Sequence, residues 1–434
     1  MAIGLAQWLG PLLLVSLWGL SAPALLLRRL GEHMQRLQEN SGLHLRLGPG
    51  TATLPRAGWL EQPLDPFNAS DGRSFLQRYW VNDQHRAGQE GPVFLHLGGE
   101  GSLGPGSVMA GHPAALAPAF GALVISLEHR FYGLSVPPGG LGMAQLRYLS
   151  SRHALADVVS ARLALSRLFN VSSISPWICF GGSYAGSLAA WTRLKVLGPL
   201  RWAGEGTKCG VQSRGAVQYD GQAGVPLSVR QLCGLLAGGG NRSHPAPYGG
   251  LRRAVQIVMH SLGQRCVSHS RAETVTQLRA TEPQVSGLGD RQWLYQTCTE
   301  LGFYVTCKGP GCPFSQLPAL PSQLDLCEQV FGLSASSVAQ AVAQTNAYYG
   351  GQSPGATQVL FVNGDTDPWH VLSVTQTLGP SEPALLIPSA SHCLDMAPER
   401  PSDSPSLRLG RQSIFQQLQT WLRQAKQSQL QRGV

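Results

Sequence analysis

The chain is poor in charge: only 13% of its 434 residues are Asp, Glu, Lys or Arg, whereas 43% are hydrophobic. This composition excludes an intrinsically disordered protein, because disorder goes with high charge and few hydrophobic residues. The net charge of +9 comes from scattered Lys and Arg. There is no long basic run and no zinc-finger or helix-turn-helix spacing, so we expect no nucleic-acid partner.

The nine cysteines are dispersed and form no Cys-x-x-Cys pair. This argues against a metal centre and for disulfides in an oxidising compartment, and we predict neither metal nor cofactor. Cys307 and Cys312 are the candidate disulfide, a small loop closed across a Gly-Pro-Gly turn. Because nine is odd, at least one thiol has no partner within the chain. The candidate for a buried free thiol is Cys179, which lies in a hydrophobic run.

One long stretch, residues 3–27, lacks charge, and no later segment is long and apolar enough to span a membrane. Its apolar centre, Leu12–Val15, is followed by the small residues Ser21–Ala24. This order predicts a secretory signal peptide over 1–24 and no stable membrane insertion after its cleavage. An uncleaved anchor is the alternative, because the run approaches the roughly 20 residues that span a bilayer. Secretory entry fits three N-glycosylation acceptors, Asn68, Asn170 and Asn241.

Hydrophobic runs alternate with helical patterns along much of the chain. Short strands are predicted at Phe75–Val81, Val93–Leu97, Ala122–Leu127, Val359–Val362 and Ala384–Ile387, with a helix over 154–169. This alternation favours an α/β fold with a parallel sheet. The middle of the chain is helical in pattern and holds most of the remaining cysteines. We expect a leader or pro-segment over 25–58, an α/β domain formed by 59–213 and 353–434, and an inserted helical cap domain over 214–352.

A candidate nucleophile follows another short strand. Trp177–Trp191 begins with an apolar run, continues through Gly181, Gly182 and Ser183, and ends in a helical pattern. Small residues on both sides of a serine are typical of a nucleophile elbow, a sharp strand-to-helix turn that exposes one hydroxyl group. In α/β-hydrolases the acid and the base follow on loops after late strands, in the chain order Ser, Asp, His. Asp367 and His392 occupy these positions, so Ser183, Asp367 and His392 form the predicted triad.

An acyl-transfer site also needs N–H donors for the oxyanion. The backbone N–H of Tyr184, directly after the nucleophile, and that of Gly99, in a glycine-rich loop after an earlier strand, are the predicted donors. Glu100 in the same loop has two open interpretations, a functional group or a solvated loop charge. His129 and His370 lie near loops, and we expect both to be structural.

Several motifs resemble the prolyl carboxypeptidase and lysosomal dipeptidyl peptidase family of serine peptidases. They are Gly181–Trp191, Asn363–Trp369, Ser391–Asp395, Glu128–Gly133, Leu146–Leu149 and Tyr295–Glu300. The resemblance covers most of residues 61–425 and implies an α/β-hydrolase domain with a helical cap. It implies endosomal or lysosomal residence and exopeptidase action near proline at a peptide end. It also assigns the acid to Asp367 rather than Asp365.

One stretch departs from that family. After the elbow helix its members continue into another core strand, whereas Val196–Gly210 is Gly-rich and polar and predicts no strand. We therefore expect that a piece present in the family is absent here. Loss of a core parallel strand would remove ladder hydrogen bonds and a buried face. Two alternatives to an active peptidase stay open: a catalytically impaired or non-enzymatic variant of the same fold, and a carboxylesterase. The expected partners are peptide substrates, and a homodimer is left open.

Overall fold

A computed structural model describes residues 55–195, 202–206, 218–222, 224–238, 246–263, 270–283, 289–304, 306 and 320–431. Within these residues one sheet contains eight strands in the spatial order β1-β2-β4-β3-β5-β6-β7-β8. The strands are β1 (Arg56–Pro63), β2 (Ser74–Asn82), β3 (Val93–Leu97), β4 (Leu123–Leu127), β5 (Trp177–Gly181), β6 (Trp202–Gly206), β7 (Val359–Gly364) and β8 (Ala384–Ile387). β2 runs antiparallel to its neighbours β1 and β4, and every other neighbouring pair is parallel.

The central strands form because their sequences are continuously hydrophobic. Every residue of β4, β5 and β7 is buried. Strands buried on both faces are expected in a parallel sheet that has helices on each side. The carboxyl ends of β3, β5, β7 and β8 therefore share one edge of the sheet, and the loops that follow them carry the predicted site residues.

Five helices belong wholly to the part of the chain that contains the sheet: α1 (Gly111–Phe120), α2 (Met143–Leu146), α3 (Ser151–Leu168), α4 (Tyr184–Lys195) and α11 (Pro405–Gln431). α3 begins after Ser150, whose side chain accepts a hydrogen bond from the backbone N–H of His153 and so caps the helix. α11 buries Ile414, Leu418 and Trp421 in a core that includes Phe94 and Phe180 of the sheet. The helical spacing of Ile414, Phe415, Leu418, Trp421 and Leu422 predicts one hydrophobic face that packs against the sheet, and the structure confirms it.

The described residues form two compact units. One unit holds the described parts of Gln212–Ala280 and Leu294–Ala343, and the other those of Gln35–Val211, Thr281–Trp293 and Gln344–Val434. The remaining helices are α5 (Val229–Gly238), α6 (Ala246–Ser261), α7 (Arg271–Arg279), α8 (Asp290–Gln296), α9 (Leu320–Phe331) and α10 (Ala335–Tyr349), with a π-helical turn over Thr297–Leu301. The disulfide Cys298–Cys327 joins the π-helical turn to α9. The middle of the chain is thus helical, while the domain boundaries drawn from the sequence stay a prediction.

Two strands were not predicted. The expectation that Val196–Gly210 carries no strand is wrong, because Trp202–Gly206 forms β6, a parallel strand between β5 and β7. A gap there would leave the backbone groups of both neighbours without partners, so tertiary pairing overrides weak strand propensity. β1 was also missed: it is an edge strand paired with β2, and five of its eight residues are exposed. Among the described residues, no helix combines the length and the apolar character needed to cross a membrane.

Candidate active site

Ser183 lies at a sharp turn between β5 and α4. Its φ is 61°, in the left-handed region that residues other than glycine seldom adopt. A Cβ atom on Gly181 would lie 2.1 Å from the carbonyl oxygen of Ala185. Only glycine therefore lets the first turn of α4 approach the end of β5. These features are those of a nucleophile elbow, in which backbone strain is stored at a functional position.

Asp367 and His392 are brought together from loops that follow β7 and β8. His392 Nδ1 and Asp367 Oδ2 are 2.9 Å apart, and both side chains are buried. Asp367 Oδ1 also accepts a hydrogen bond from the backbone N–H of Trp369 at 3.0 Å. A carboxylate can only accept, so Nδ1 carries the proton and Nε2 is the nitrogen that can act as a base.

The loop of His392 packs against the elbow. A Cβ atom on Gly182, the residue before Ser183, would lie 3.2 Å from Cys393 Sγ and 3.8 Å from Met396 Cγ. The residue before the serine is therefore in contact with the residue after the histidine. This contact places the loop of the acid–base pair beside the turn that carries the hydroxyl group.

The predicted oxyanion donors are also neighbours. A Cβ atom on Gly99 would lie 3.5 Å from the backbone nitrogen of Ala185 and 4.0 Å from Tyr184 Cδ1. The loop after β3 thus meets the first turn of α4, whose N-terminus favours negative charge. Glu100, the next residue, is half-buried, and its Oε1 accepts a hydrogen bond from Ser183 Oγ at 3.5 Å. The carboxylate of Glu100 therefore lies beside the hydroxyl group of Ser183, which favours the functional interpretation.

His129 orients Tyr184. Its Nδ1 donates to the carbonyl of Arg130 at 2.6 Å, so Nε2 accepts from the hydroxyl of Tyr184 at 3.1 Å. Burial lowers the pKa of His129 to about 4, which keeps the ring neutral. His370 Nδ1 donates to the carbonyl of Asp367 at 2.6 Å and so braces the acid loop. Both rings have the structural roles expected from the sequence.

The motif Glu128–Gly133 anchors the loop after β4. Glu128 is fully buried and accepts hydrogen bonds from Arg78 Nη2 at 2.6 Å and Ser135 Oγ at 2.7 Å. Arg130 is fully buried and forms two 2.7 Å hydrogen bonds with Asp157 on α3. These charges hold the loop that carries His129, and through it the side chain after the nucleophile.

Sequence reasoning missed two residues near the base. Asp395 was quoted only as part of a motif, and Arg411 on α11 was not singled out. Both are buried beside the loop of His392. An Asp three residues after the base and an Arg in a mostly polar helix give no periodic signal, and only the packing of α11 brings them together.

The modification candidates fall in different parts of the chain. Asn68 is exposed, and its Oδ1 accepts hydrogen bonds from Ser70 Oγ at 2.7 Å and Ser70 N at 3.1 Å. Asn170 is also exposed. Asn241, Cys307 and Cys312 lie outside the described residues. Cys179 is free and buried, as the sequence predicted, and burial raises the pKa of its thiol.

The parallel sheet with one reversed strand, the elbow at Ser183 and the buried Asp–His pair define a serine hydrolase of the α/β-hydrolase fold. The particular family follows from comparison with known proteins. The family model for serine carboxypeptidase S28 matches residues 62–196 and 210–414. The chain belongs to this family and is a serine-type peptidase.

Curated relatives agree with this assignment. Thymus-specific serine protease of Homo sapiens is 69% identical and that of Mus musculus 67%, with 99% and 98% of this chain and 99% of each relative covered. Lysosomal Pro-X carboxypeptidase of Homo sapiens is 25% identical, with 89% of this chain and 93% of the relative covered. The resemblance to that human thymus-specific protease and to the S28 family is thus established.

The comparisons also bear on the departure after the elbow helix. The alignment with the human thymus-specific protease runs over 510 residues, more than the 434 of this chain, so part of that relative has no counterpart here. The family model breaks between residues 196 and 210. β6 lies within this break and pairs with β5 and β7.

Proposed function

We propose that this chain is an exopeptidase that cleaves peptides near proline through an acyl-enzyme, with Ser183 as nucleophile, His392 as base and Asp367 as the orienting acid. The observation that carries the proposal is the buried 2.9 Å contact between His392 Nδ1 and Asp367 Oδ2, on a loop that packs against the elbow. The name of the human Pro-X carboxypeptidase supports the choice of proline-containing peptides.

The geometry suits a two-step reaction. His392 Nε2 removes the proton from Ser183 Oγ as this oxygen bonds to the scissile carbonyl carbon. The carbonyl oxygen becomes an oxyanion that the backbone N–H groups of Tyr184 and Gly99 stabilise. The imidazolium then gives its proton to the leaving amine, and the C–N bond breaks. Water, activated by the same nitrogen, hydrolyses the acyl ester and restores the hydroxyl group.

We further propose that the protein enters the secretory pathway, carries glycans at Asn68 and Asn170, and resides in endosomes or lysosomes. The exposed acceptors support glycosylation, and the word lysosomal in the name of a relative supports the location. Digestion with an endoglycosidase followed by mass spectrometry of the peptides that contain both asparagines tests the modification. Unmodified asparagine in protein secreted from animal cells would contradict it.

A fluorophosphonate probe tests the nucleophile. We expect the purified chain to label, because the probe reacts with serines activated by a neighbouring base. Ser183→Ala should abolish labelling, whereas Ser187→Ala, one turn further along α4, should retain it. A folded, monomeric sample that does not label would favour the second candidate, a non-enzymatic variant of this fold. The break in the family match at residues 197–209 is the specific observation behind that candidate.

Substrate class needs a separate measurement. Relative kcat/KM for proline-containing peptides and for short acyl esters distinguishes a peptidase from a carboxylesterase. We expect the peptides to be preferred. Efficient ester cleavage with no peptide cleavage would contradict the proposed substrate class while leaving the nucleophile in place.

A further inference from the structure

A second acidic side chain lies close to the base. Asp395 belongs to the short 3-10 helix Leu394–Met396, which begins two residues after His392. Its side chain is only 4% exposed, and within the described residues its Oδ2 has no hydrogen-bond partner. Burying a carboxyl oxygen without a partner costs free energy. Such a group beside an active site calls for a functional explanation.

The segment that carries Asp395 is held on three sides. Arg411 of α11 donates hydrogen bonds to the carbonyl oxygens of Leu394 at 3.0 Å, Asp395 at 3.2 Å and Ala397 at 2.9 Å. On another side, a Cβ atom on Gly111 at the start of α1 would lie 2.9 Å from the carbonyl oxygen of Met396. The third side is the contact of Cys393 and Met396 with Gly182. These contacts hold the backbone of the segment in place, and they therefore keep the Asp395 carboxyl group at the site.

The elements packed against this segment carry several charged and titratable groups. Arg411, His392 and Asp367 act on it electrostatically. Behind Arg411 lies its ion-pair partner Asp403. From α1 comes His112, which is buried, has its pKa lowered to about 3 by burial, and stays neutral near neutral pH. Cys393 borders the segment on the elbow side.

Burial raises the pKa of the Asp395 carboxyl group to about 6, and the charge of Asp367 adds to this rise. A hydrogen bond from the residue's own backbone N–H, Arg411 and His392 oppose it. This lies in the range where histidine titrates. When Asp395 is protonated, it adds no attraction for an imidazolium. When it is ionised, it stabilises the imidazolium and makes Nε2 a stronger base. Because the two groups are coupled, the apparent pKa values of their proton losses belong to the pair and not to either group alone.

We propose that Asp395 is a positioning residue for His392. The buried carboxyl group of Asp395 gains or loses its own proton as the imidazole does. It thereby sets the pH below which the imidazole is protonated and can no longer act as a base. Below neutral pH the carboxyl group is protonated and no longer stabilises the imidazolium. Above that range the carboxylate strengthens the base. The role rests on the proposed function, because it acts through the imidazole of the triad.

The pH dependence of kcat/KM, counted per probe-labelled active site, tests this role. For the wild type we expect an acid limb shallower than a one-proton titration, because the two groups interact. Asp395→Asn should give a one-proton limb displaced to lower pH by roughly one unit, with a plateau several-fold lower at neutral pH. The control is Asp365→Asn. That residue is an exposed carboxylate after β7 whose Oδ1 accepts from Ser389 N at 2.7 Å, and its replacement should leave the limb unchanged.

A limb that does not move in a folded Asp395→Asn variant would overturn the proposed role. So would a lower melting temperature with an unchanged pH profile per labelled site, because that is the signature of a purely structural side chain. If the variant does not fold, the wild-type limb decides, and a slope of one proton overturns the role. Wild-type protein that is folded but does not label would overturn both this role and the proposed function, so the two failures are distinguishable.

Discussion

Replacing Asp367 by Asn is the most direct test of the acid–base pair. Asp367 is fully buried and His392 nearly so, and their 2.9 Å contact holds the proton on Nδ1. An asparagine keeps the volume of the side chain, and its Oδ1 can still accept from the backbone N–H of Trp369. Its amide group, however, would donate toward Nδ1. The proton then moves to Nε2, and the imidazole can no longer take one from Ser183.

The size of the effect follows from this change of tautomer. Loss of the correct tautomer in a Ser-His-Asp site lowers kcat by about 10⁴-fold, which corresponds to about 5.5 kcal/mol of activation free energy. Since the Trp369 hydrogen bond is retained, we expect the fold to persist. The assay is kcat/KM on a proline-containing peptide, together with near-UV circular dichroism to establish folding.

Asp365→Asn is the matched control, because Asp365 belongs to the same loop and is exposed. We expect its activity to stay within a few-fold of the wild type. Folded Asp367→Asn with more than about a tenth of wild-type kcat/KM would refute the reasoning. Loss of activity in Asp365→Asn instead would show that the acid had been assigned to the wrong carboxylate.

Two further predictions concern the frame of the site. Gly181→Ala should destabilise the protein by more than about 3 kcal/mol and abolish probe labelling, because the new Cβ would lie 2.1 Å from the carbonyl oxygen of Ala185. The control is Gly142→Ala, whose new Cβ would have no atom within 4 Å. Thermal denaturation measures the stability of both variants, and equal melting temperatures would contradict the elbow geometry. Acidification should weaken the fold through His129, because burial lowers the pKa of this ring from 6.5 to about 4. Its contribution to the free energy of unfolding is complete above pH 6.5 and is lost as the pH falls toward 4, by about 3 kcal/mol in all. Urea unfolding of His129→Gln should therefore show a smaller loss of stability between these pH values than the wild type, and an equal loss in both proteins would contradict this role of His129.

Much of the sheet could be predicted because its central strands are hydrophobic without interruption. Val93–Leu97 and Ala384–Ile387 are strands with the predicted bounds, and β4 and β7 differ from theirs by one or two residues at one end. The alternation of Phe75–Val81 also predicted β2, which extends one residue further at each end. Two strands were not predicted. β1 is a mostly exposed edge strand with a buried Gln62 and an exposed Trp59, and β6 is short and rich in glycine, so neither carries a periodic hydrophobic signal.

The residues of the candidate site also differ in whether the sequence alone could predict them. Ser183 is predicted from its own neighbours, because an elbow needs small residues on both sides of the serine, and the structure has a strained turn there. Asp367 and His392 are predicted from their order after late strands, and the structure brings these two side chains together. Glu100 could not be assigned from the sequence, since an acidic residue in a loop is usually solvated. Only the approach of the β3 loop to α4 shows that its carboxylate accepts a hydrogen bond from the nucleophile.

By itself the sequence determined which backbone segments are buried and which serine stands at a strained turn, since both depend on residues close together in the chain. The tertiary structure alone decided which distant groups share one low-dielectric environment. Arg130 meets Asp157, Gly182 meets Cys393, and Arg411 holds the segment of Asp395 because the strand order and the packing of α3 and α11 bring them together. Electrostatic interaction depends on separation and burial in space, and neither quantity is contained in distance along the chain.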